Sequence, residues 1–322
     1  MAGSGYPDRR PAAYPELGYI GISYLPYRLV FLSNKFKSKP LLLQGAMGTQ
    51  LLKKGVKLPL PLWSASANID DRETVMEIHK DYLNAGADII TTNTFRTTTY
   101  TYHKAGFSMQ EAKTMARESL LSAVESARMI AGDDATVAGS ITSVDDCYSP
   151  HLFPGKTAAE NTYGEMVEWF FAEGVELLLF ETMGNCEEID AAIGISDGYP
   201  IERWVSLILK NKSLLLDGTP LVQALQTINN TSTSILLLNC NKITTTDSAV
   251  AALQSTGNPW GIYPNLGVTD FDNDYFDIIN KTIFEQHFEK YLDMEPWVIG
   301  ACCGSTPWHI RRIKDMIENK WT

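Results

Sequence analysis

From Lys39 onward the chain alternates short runs of leucine and β-branched residues with longer segments whose apolar positions recur at helical spacing. The short runs fall near Pro40–Gln44, Asp88–Thr92, Thr136–Ile141, Glu176–Glu181, Trp204–Leu209, Ser234–Asn239, Trp260–Pro264 and Trp297–Ala301. A brief, nearly continuous apolar run bounded by turn residues suits a strand buried on both faces. Between the runs, helices are predicted over Arg72–Ala85, Met109–Ala131, Thr162–Glu173, Cys186–Ile193, Leu221–Thr227, Ser248–Gln254, Asp274–Tyr291 and Pro307–Asn319. Asp71 is placed to cap the first, and Thr306 followed by Pro307 puts a capping oxygen ahead of a residue that needs no amide hydrogen. Gly86 and Gly132 stand where the chain leaves helices, since glycine reaches left-handed geometry cheaply. Strand and helix in strict alternation make a parallel sheet, and eight such units predict a single (β/α)8 TIM-type barrel. Reactive groups of such a barrel gather at the carboxyl ends of the strands.

Length and composition fit that reading. The 322 residues, 44% apolar and 20% charged, suit one large domain, assigned to residues 39–322. No stretch approaches the ~20 apolar residues of a membrane span. A formal net charge of -11 repels phosphate backbones, so nucleic acid is not an expected partner. Five cysteines, an odd number, argue against a disulfide framework and for a reducing compartment, with the cytoplasm the simplest expectation. Residues 1–38 form an extension in which Arg9, Arg10, Arg28, Lys35 and Lys37 outnumber Asp8 and Glu16. An organelle presequence is an amphipathic helix, which Pro7, Pro11, Pro15 and Pro26 interrupt; a partly disordered segment, or one packed on the barrel, is expected instead. Oligomeric state is not legible.

Cys240 follows the sixth predicted strand in LLLNC, and Cys302 and Cys303 follow the eighth in GACCGSTP. Both ends face one rim. Three soft thiolates with a fourth position open make a chemically sensible catalytic zinc site. Adjacent cysteines diverge on a strand, but at a strand end the chain turns, and Gly304 lets both sulfurs converge. Other readings stay open at this point: buried cysteine as a small hydrophobe, or a vicinal redox disulfide between Cys302 and Cys303. Cys147 and Cys186, after the third and fourth strands, share the rim and are further candidates.

The segments QGAMGTQLLKKGV, LWSA, DYLNAGADIITTNTF, AGSITSVDDCYSP, LLLFETM, DGTPL, LLLNC and GACCGSTPWHI, in this order, resemble the homocysteine S-methyltransferase family. The resemblance runs from Leu41 to roughly Ile317 and implies a (β/α)8 barrel. It implies that Cys240, Cys302 and Cys303 bind Zn²⁺, which activates the thiol of homocysteine for methylation to methionine. It further implies that Glu181 holds the amino group of homocysteine, and that the turn at Gly45 and Ala46 meets its carboxylate through backbone amides. The family pattern has Asp-Gly at that turn where this chain has Gln44-Gly45, and a neutral amide supplies no opposite charge to an ammonium, so weaker homocysteine binding is expected.

Asn93 and Asn265, after the second and seventh strands, are further pocket-lining candidates, whereas His309 in the first turn of the last helix suits a supporting role. The chain has no room for the cobalamin and folate modules of the large methionine synthases, so the expected small-molecule partners are homocysteine and a sulfonium donor, S-methylmethionine or S-adenosylmethionine. A betaine-type donor is the alternative within the class, and a non-catalytic zinc- or thiol-binding protein on the same fold is the alternative outside it.

Overall fold

The computed structural model describes residues 39–270 and 275–321, with side chains throughout except at 268–276. The predicted amino-terminal extension lies outside the described residues. Eight parallel strands form the sheet: β1 (Leu41–Leu42), β2 (Ile89–Thr91), β3 (Thr136–Ile141), β4 (Leu177–Met183), β5 (Glu202–Leu207), β6 (Ile235–Lys242), β7 (Trp260–Asn265) and β8 (Val298–Ile299). They are hydrogen-bonded in the order β1-β8-β7-β6-β5-β4-β3-β2. A parallel bridge between Leu43 and Ile89 brings the two ends of that order together, with Gln44 N–H donating to Ile89 O at 2.9 Å and Asp88 N–H to Leu42 O at 2.8 Å. The ring is closed, and the (β/α)8 reading stands.

Each strand is followed by a principal outer helix: α1 (Arg72–Asn84), α2 (Met109–Ala131), α3 (Lys156–Ala172), α4 (Cys186–Ser196), α5 (Leu221–Asn229), α6 (Ile243–Gln254), α7 (Lys281–Asp293) and α8 (Pro307–Lys320), with the shorter helices Met47–Lys53 and Ala67–Asp70 ahead of α1 and Thr99–Lys104 ahead of α2. The runs Leu177–Phe180 and Ile235–Leu238 are buried at every position, which is what a strand between a helix layer and a filled barrel interior requires. Tyr163 of α3 meets Phe180 of β4 edge-on, with 6.0 Å between ring centres. The longest helix, α2, opens on a capping box: Ser108 Oγ accepts from Glu111 N–H, and Glu111 Oε2 accepts from Ser108 N–H at 3.0 Å.

Three local expectations are corrected. The predicted helix over 274–291 begins only at Lys281; before it, Gly267–Asp270 and Tyr275–Ile278 pair as an antiparallel hairpin. Asn280 is the true start signal, its side chain accepting from Ile283 N–H at 2.9 Å. Asp71 precedes α1 but makes no side-chain cap bond. Finally, α3 and α6 start six and five residues earlier than apolar periodicity alone suggests, at Lys156 and Ile243, because their leading segments KTAAEN and ITTTD are mostly polar.

Candidate active site

Two of the barrel strands carry an extra residue at their carboxyl ends. In β4 the register passes from Phe180 opposite Val205 to Met183 opposite Leu207, and in β6 from Asn239 opposite Tyr263 to Lys242 opposite Asn265. The bulged residues have left-handed backbones, φ 56° at Thr182 and 52° at Cys240. A non-glycine residue held there costs on the order of 1–3 kcal/mol and persists only where its surroundings impose it. Here the imposing group is Asn239, whose Oδ1 accepts from Thr182 N–H at 2.9 Å and from Ser206 Oγ at 2.7 Å. One buried amide thus ties the bulge beside Glu181 to the bulge that holds Cys240. Bulges re-aim side chains, and both stand at the rim where the chemistry is expected.

After β8 the chain turns tightly. Cys302 N–H donates to Pro264 O at 2.8 Å, Cys303 N–H to Asn265 Oδ1 at 3.1 Å, and Ser305 N–H back to Cys302 O at 3.1 Å. Gly304 has φ 85°, a left-handed backbone in which an L side chain is strained, and a Cβ there would also press on Ile278 Cδ1, so the turn that gathers both cysteines favours glycine. The three sulfurs converge: all lie within 4.8 Å of one another, and Cys240 Sγ is 3.9 Å from Cys303 Sγ. Cys240 and Cys302 are joined as a disulfide with a Cα–Cα distance of 5.5 Å, while Cys303 is a free thiol. The bonded pair is therefore not the vicinal Cys302–Cys303 pair. In the reduced state the cluster is three soft donors on one wall of one cavity, a set that suits a tetrahedral zinc ion whose fourth ligand comes from that cavity. Burial pushes the Cys303 thiol up to about 12, so without a nearby cation the sulfur stays protonated at neutral pH.

The cavity has a volume of about 1550 Å³. Gln44, Gly45, Ala46, Asn93, Glu181 and the three cysteines all line it. Glu181, at the end of β4, accepts from Ser140 Oγ and, through Oε2, from Tyr263 O–H at 3.4 Å. Burial raises its pKa above the usual carboxylate range, and the two hydroxyl donors pull it part of the way back. Such a carboxylate gains from a cationic partner entering the cavity.

Gln44 is already engaged. Its Nε2 donates to Thr91 O at 3.1 Å and to Thr91 Oγ1 at 2.7 Å, and its Oε1 faces His79 Nδ1 at 3.0 Å. A carbonyl only accepts, so the amide nitrogen faces Thr91 and the proton of His79 is on Nδ1. Around Gly45 space is short: a Cβ would stand 2.6 Å from Ser305 Oγ and from Tyr82 Cε1. Ala46 N–H is spent on Ser305 Oγ at 2.8 Å, which leaves Gly45 N–H as the turn's amide with no bond among the described residues.

His79 is fully buried, its Nε2 has no partner among the described residues, and burial drives its pKa from 6.5 to about 3. The unfolded chain binds a proton that the folded chain refuses, so this group's contribution is intact above pH 6.5 and is lost as pH falls toward 3. Between pH 7 and 5 the loss amounts to about 2 kcal/mol. Urea denaturation at the two pH values should show that drop, and His79→Gln, which cannot titrate, should flatten it; an equal drop in the variant would refute the assignment.

The remaining predicted residues are placed as follows. Asn93 is buried and donates through Nδ2 to Ser64 O and Asn68 Oδ1, each at 2.9 Å. Asn265 orients the Cys303 backbone. His309 accepts from Thr306 N–H at 3.1 Å as part of the cap of α8, and takes no part in the sulfur cluster. Cys147 lines the cavity and Cys186 opens α4, both outside the cluster. Asn239, Ser140 and Tyr263 escaped the sequence reading. Asn239 had a signal, as the residue before Cys240 on a strand end; Ser140 and Tyr263 are ordinary strand residues that only closure of the barrel brings to Glu181.

The sequence profile of the family described as homocysteine S-methyltransferase matches residues 41–317. Among similar proteins, "Homocysteine S-methyltransferase" of Escherichia coli (strain K12) is 28% identical over 86% of this chain and 95% of its own length. "Homocysteine S-methyltransferase 2" of Arabidopsis thaliana is 25% identical over 86% of this chain and 93% of its own. "Selenocysteine methyltransferase" of Astragalus bisulcatus is 26% identical over 85% and 91%. Among solved structures, the metallated form of the Escherichia coli homocysteine methyltransferase MmuM superposes with a TM-score of 0.75 at 26% identity, covering 89% of this chain and 99% of that one. Its oxidized form gives the same TM-score, 0.75, over 98% of that chain.

Proposed function

The chain belongs to the homocysteine S-methyltransferase family, and from that premise we propose that it transfers a methyl group from a sulfonium donor, S-methylmethionine or S-adenosylmethionine, to homocysteine in a zinc-dependent reaction that yields methionine. The observation that carries the reading is the convergence of Cys240, Cys302 and Cys303 with Glu181 on one cavity at the carboxyl ends of the strands. Cys240, Cys302 and Cys303, reduced, would hold the zinc, which supplies a positive charge that keeps the substrate sulfur ionised at neutral pH. Thiolate ligands require a reducing compartment, in keeping with the cytoplasm.

Glu181 holds the substrate ammonium. The Gly45 amide is the open donor for its carboxylate, while Gln44, tied to His79 and Thr91, contributes no charge and shapes the floor of the site. Held at both ends, homocysteine presents its sulfur in one orientation, and such positioning is worth several kcal/mol of barrier. The thiol proton passes to solvent water before the transfer. One electron pair of the thiolate then forms the new S–C bond to the methyl carbon; the donor's S–C bond breaks, its pair staying on a sulfur that becomes a neutral thioether. No general base is needed at that step, because a thiolate is already nucleophilic.

The test is a panel of methyl-labelled donors with reduced, zinc-loaded protein and homocysteine. Label should reach methionine from a sulfonium donor. Transfer from betaine alone would overturn the donor class. Zinc and homocysteine binding without transfer from any donor would point to the non-catalytic reading, whose motive is the uncharged Gln44.

A further inference from the structure

At about 1550 Å³ the cavity exceeds the ~300–1,000 Å³ usual for one drug-sized ligand, and the groups described so far account for a single amino-acid substrate. Among the cations on its walls, Arg96 differs from Lys104. Lys104 Nζ is paired with Asp145, at 2.7 Å from both carboxylate oxygens. The Arg96 side chain is only 12% exposed, yet it makes one hydrogen bond, from Nη2 to Asp146 Oδ1 at 3.3 Å. Its Nε and Nη1 donate to nothing among the described residues. A guanidinium held nearly dry with its fork of N–H groups unfilled is the arrangement that takes a carboxylate through two parallel bonds. Arg96 also has a left-handed backbone, φ 70°, just beyond β2, and such a conformation in a bulky residue persists where its surroundings impose it.

Asp146 stands beside it, 33% exposed and lining the same cavity. Ser149 Oγ anchors its Oδ2 at 2.7 Å, so its position is set without Arg96. Tyr148 follows on the same wall, a ring face on which a cation can rest. The pair lies near the thiol cluster: Cys147 is close enough to Arg96 and to Cys303 for the charge of each to act on it.

We propose that Arg96 and Asp146 form a second subsite that binds the α-amino-acid head group of the methyl donor, Arg96 its carboxylate and Asp146 its ammonium, a reading that rests on the methyl transfer argued above.

The test is calorimetric titration of zinc-loaded protein, without the second substrate, with S-methylmethionine, trimethylsulfonium and homocysteine in turn. Arg96→Gln should weaken S-methylmethionine by about 10–100-fold, as loss of charge-assisted bonds predicts, and leave zinc content, homocysteine affinity and the weak trimethylsulfonium affinity unchanged. Arg96→Lys, which keeps the charge and loses the fork, should fall between; if Arg96→Gln does not fold, Arg96→Lys with the same readouts carries the test. Unchanged S-methylmethionine affinity, or a parallel fall for homocysteine, would overturn the proposal, the latter by placing Arg96 in the acceptor's site. Absence of methyl transfer by the wild-type protein would refute the reaction, while the titrations would still decide the subsite.

Discussion

Replacing Cys240 by Ser is expected to remove stoichiometric zinc from the purified, reduced protein and to lower methyl transfer by at least about 10³-fold, because the charge that ionises the substrate sulfur is worth several kcal/mol. The sulfur of Cys240 lies within 4.8 Å of those of Cys302 and Cys303, and a serine hydroxyl is a harder, far less acidic ligand that cannot complete a thiolate set. Metal analysis by mass spectrometry reads the first effect and the labelled-donor assay the second. Should Cys240→Ser keep one zinc per chain and full activity, the metal centre is placed wrongly. Cys186→Ser, outside the cluster, is the control and should leave both readouts unchanged.

Glu181→Gln is expected to raise KM for homocysteine by about 100-fold with kcat largely retained, because truncating one partner of a desolvated charge pair costs about 2–5 kcal/mol and the ammonium is remote from the reacting sulfur. The first turn offers no second carboxylate to compensate, since Gln44 stands there and spends its amide on Thr91 and His79. The pH dependence follows with a definite sign. Burial raises the pKa of Glu181, so as pH falls the carboxylate is lost sooner than an ordinary one, and KM for homocysteine should climb on the acid side. In Glu181→Gln that limb should vanish. Initial rates across pH for both proteins check it; an unchanged acid limb would assign the titration to another group.

Much of this site is legible in the sequence. The cysteines at 240, 302 and 303 sit immediately after apolar runs, and a barrel sends the ends of all such runs to one rim, so their meeting followed from topology. Glu181 was legible through the family resemblance, with its place at a strand end in support. The hairpin at 267–270 and 275–278 was not, because its apolar residues also fit a helical period and only the Asn280 cap marks where α7 begins. Nor was the fate of Gln44. Sequence comparison marks the missing carboxylate, but capture of the Gln44 amide by a buried neutral His79 depends on α1 bringing that ring to 3.0 Å from it.

The alternation of short apolar runs with helical segments was enough by itself to determine a parallel barrel whose carboxyl rim carries cysteines, while the choice of Cys240, Cys302 and Cys303 as one set came from the family resemblance. The barrel was legible because strand period and helix period are local properties of the chain. Tertiary structure alone decided the rest: the bulges that aim Glu181 and Cys240, the Asn239 amide that couples them, and the unfilled guanidinium of Arg96. Each depends on groups dozens of residues apart in sequence meeting within hydrogen-bond distance in a buried space, where an unmade bond is costly and a made one fixes geometry.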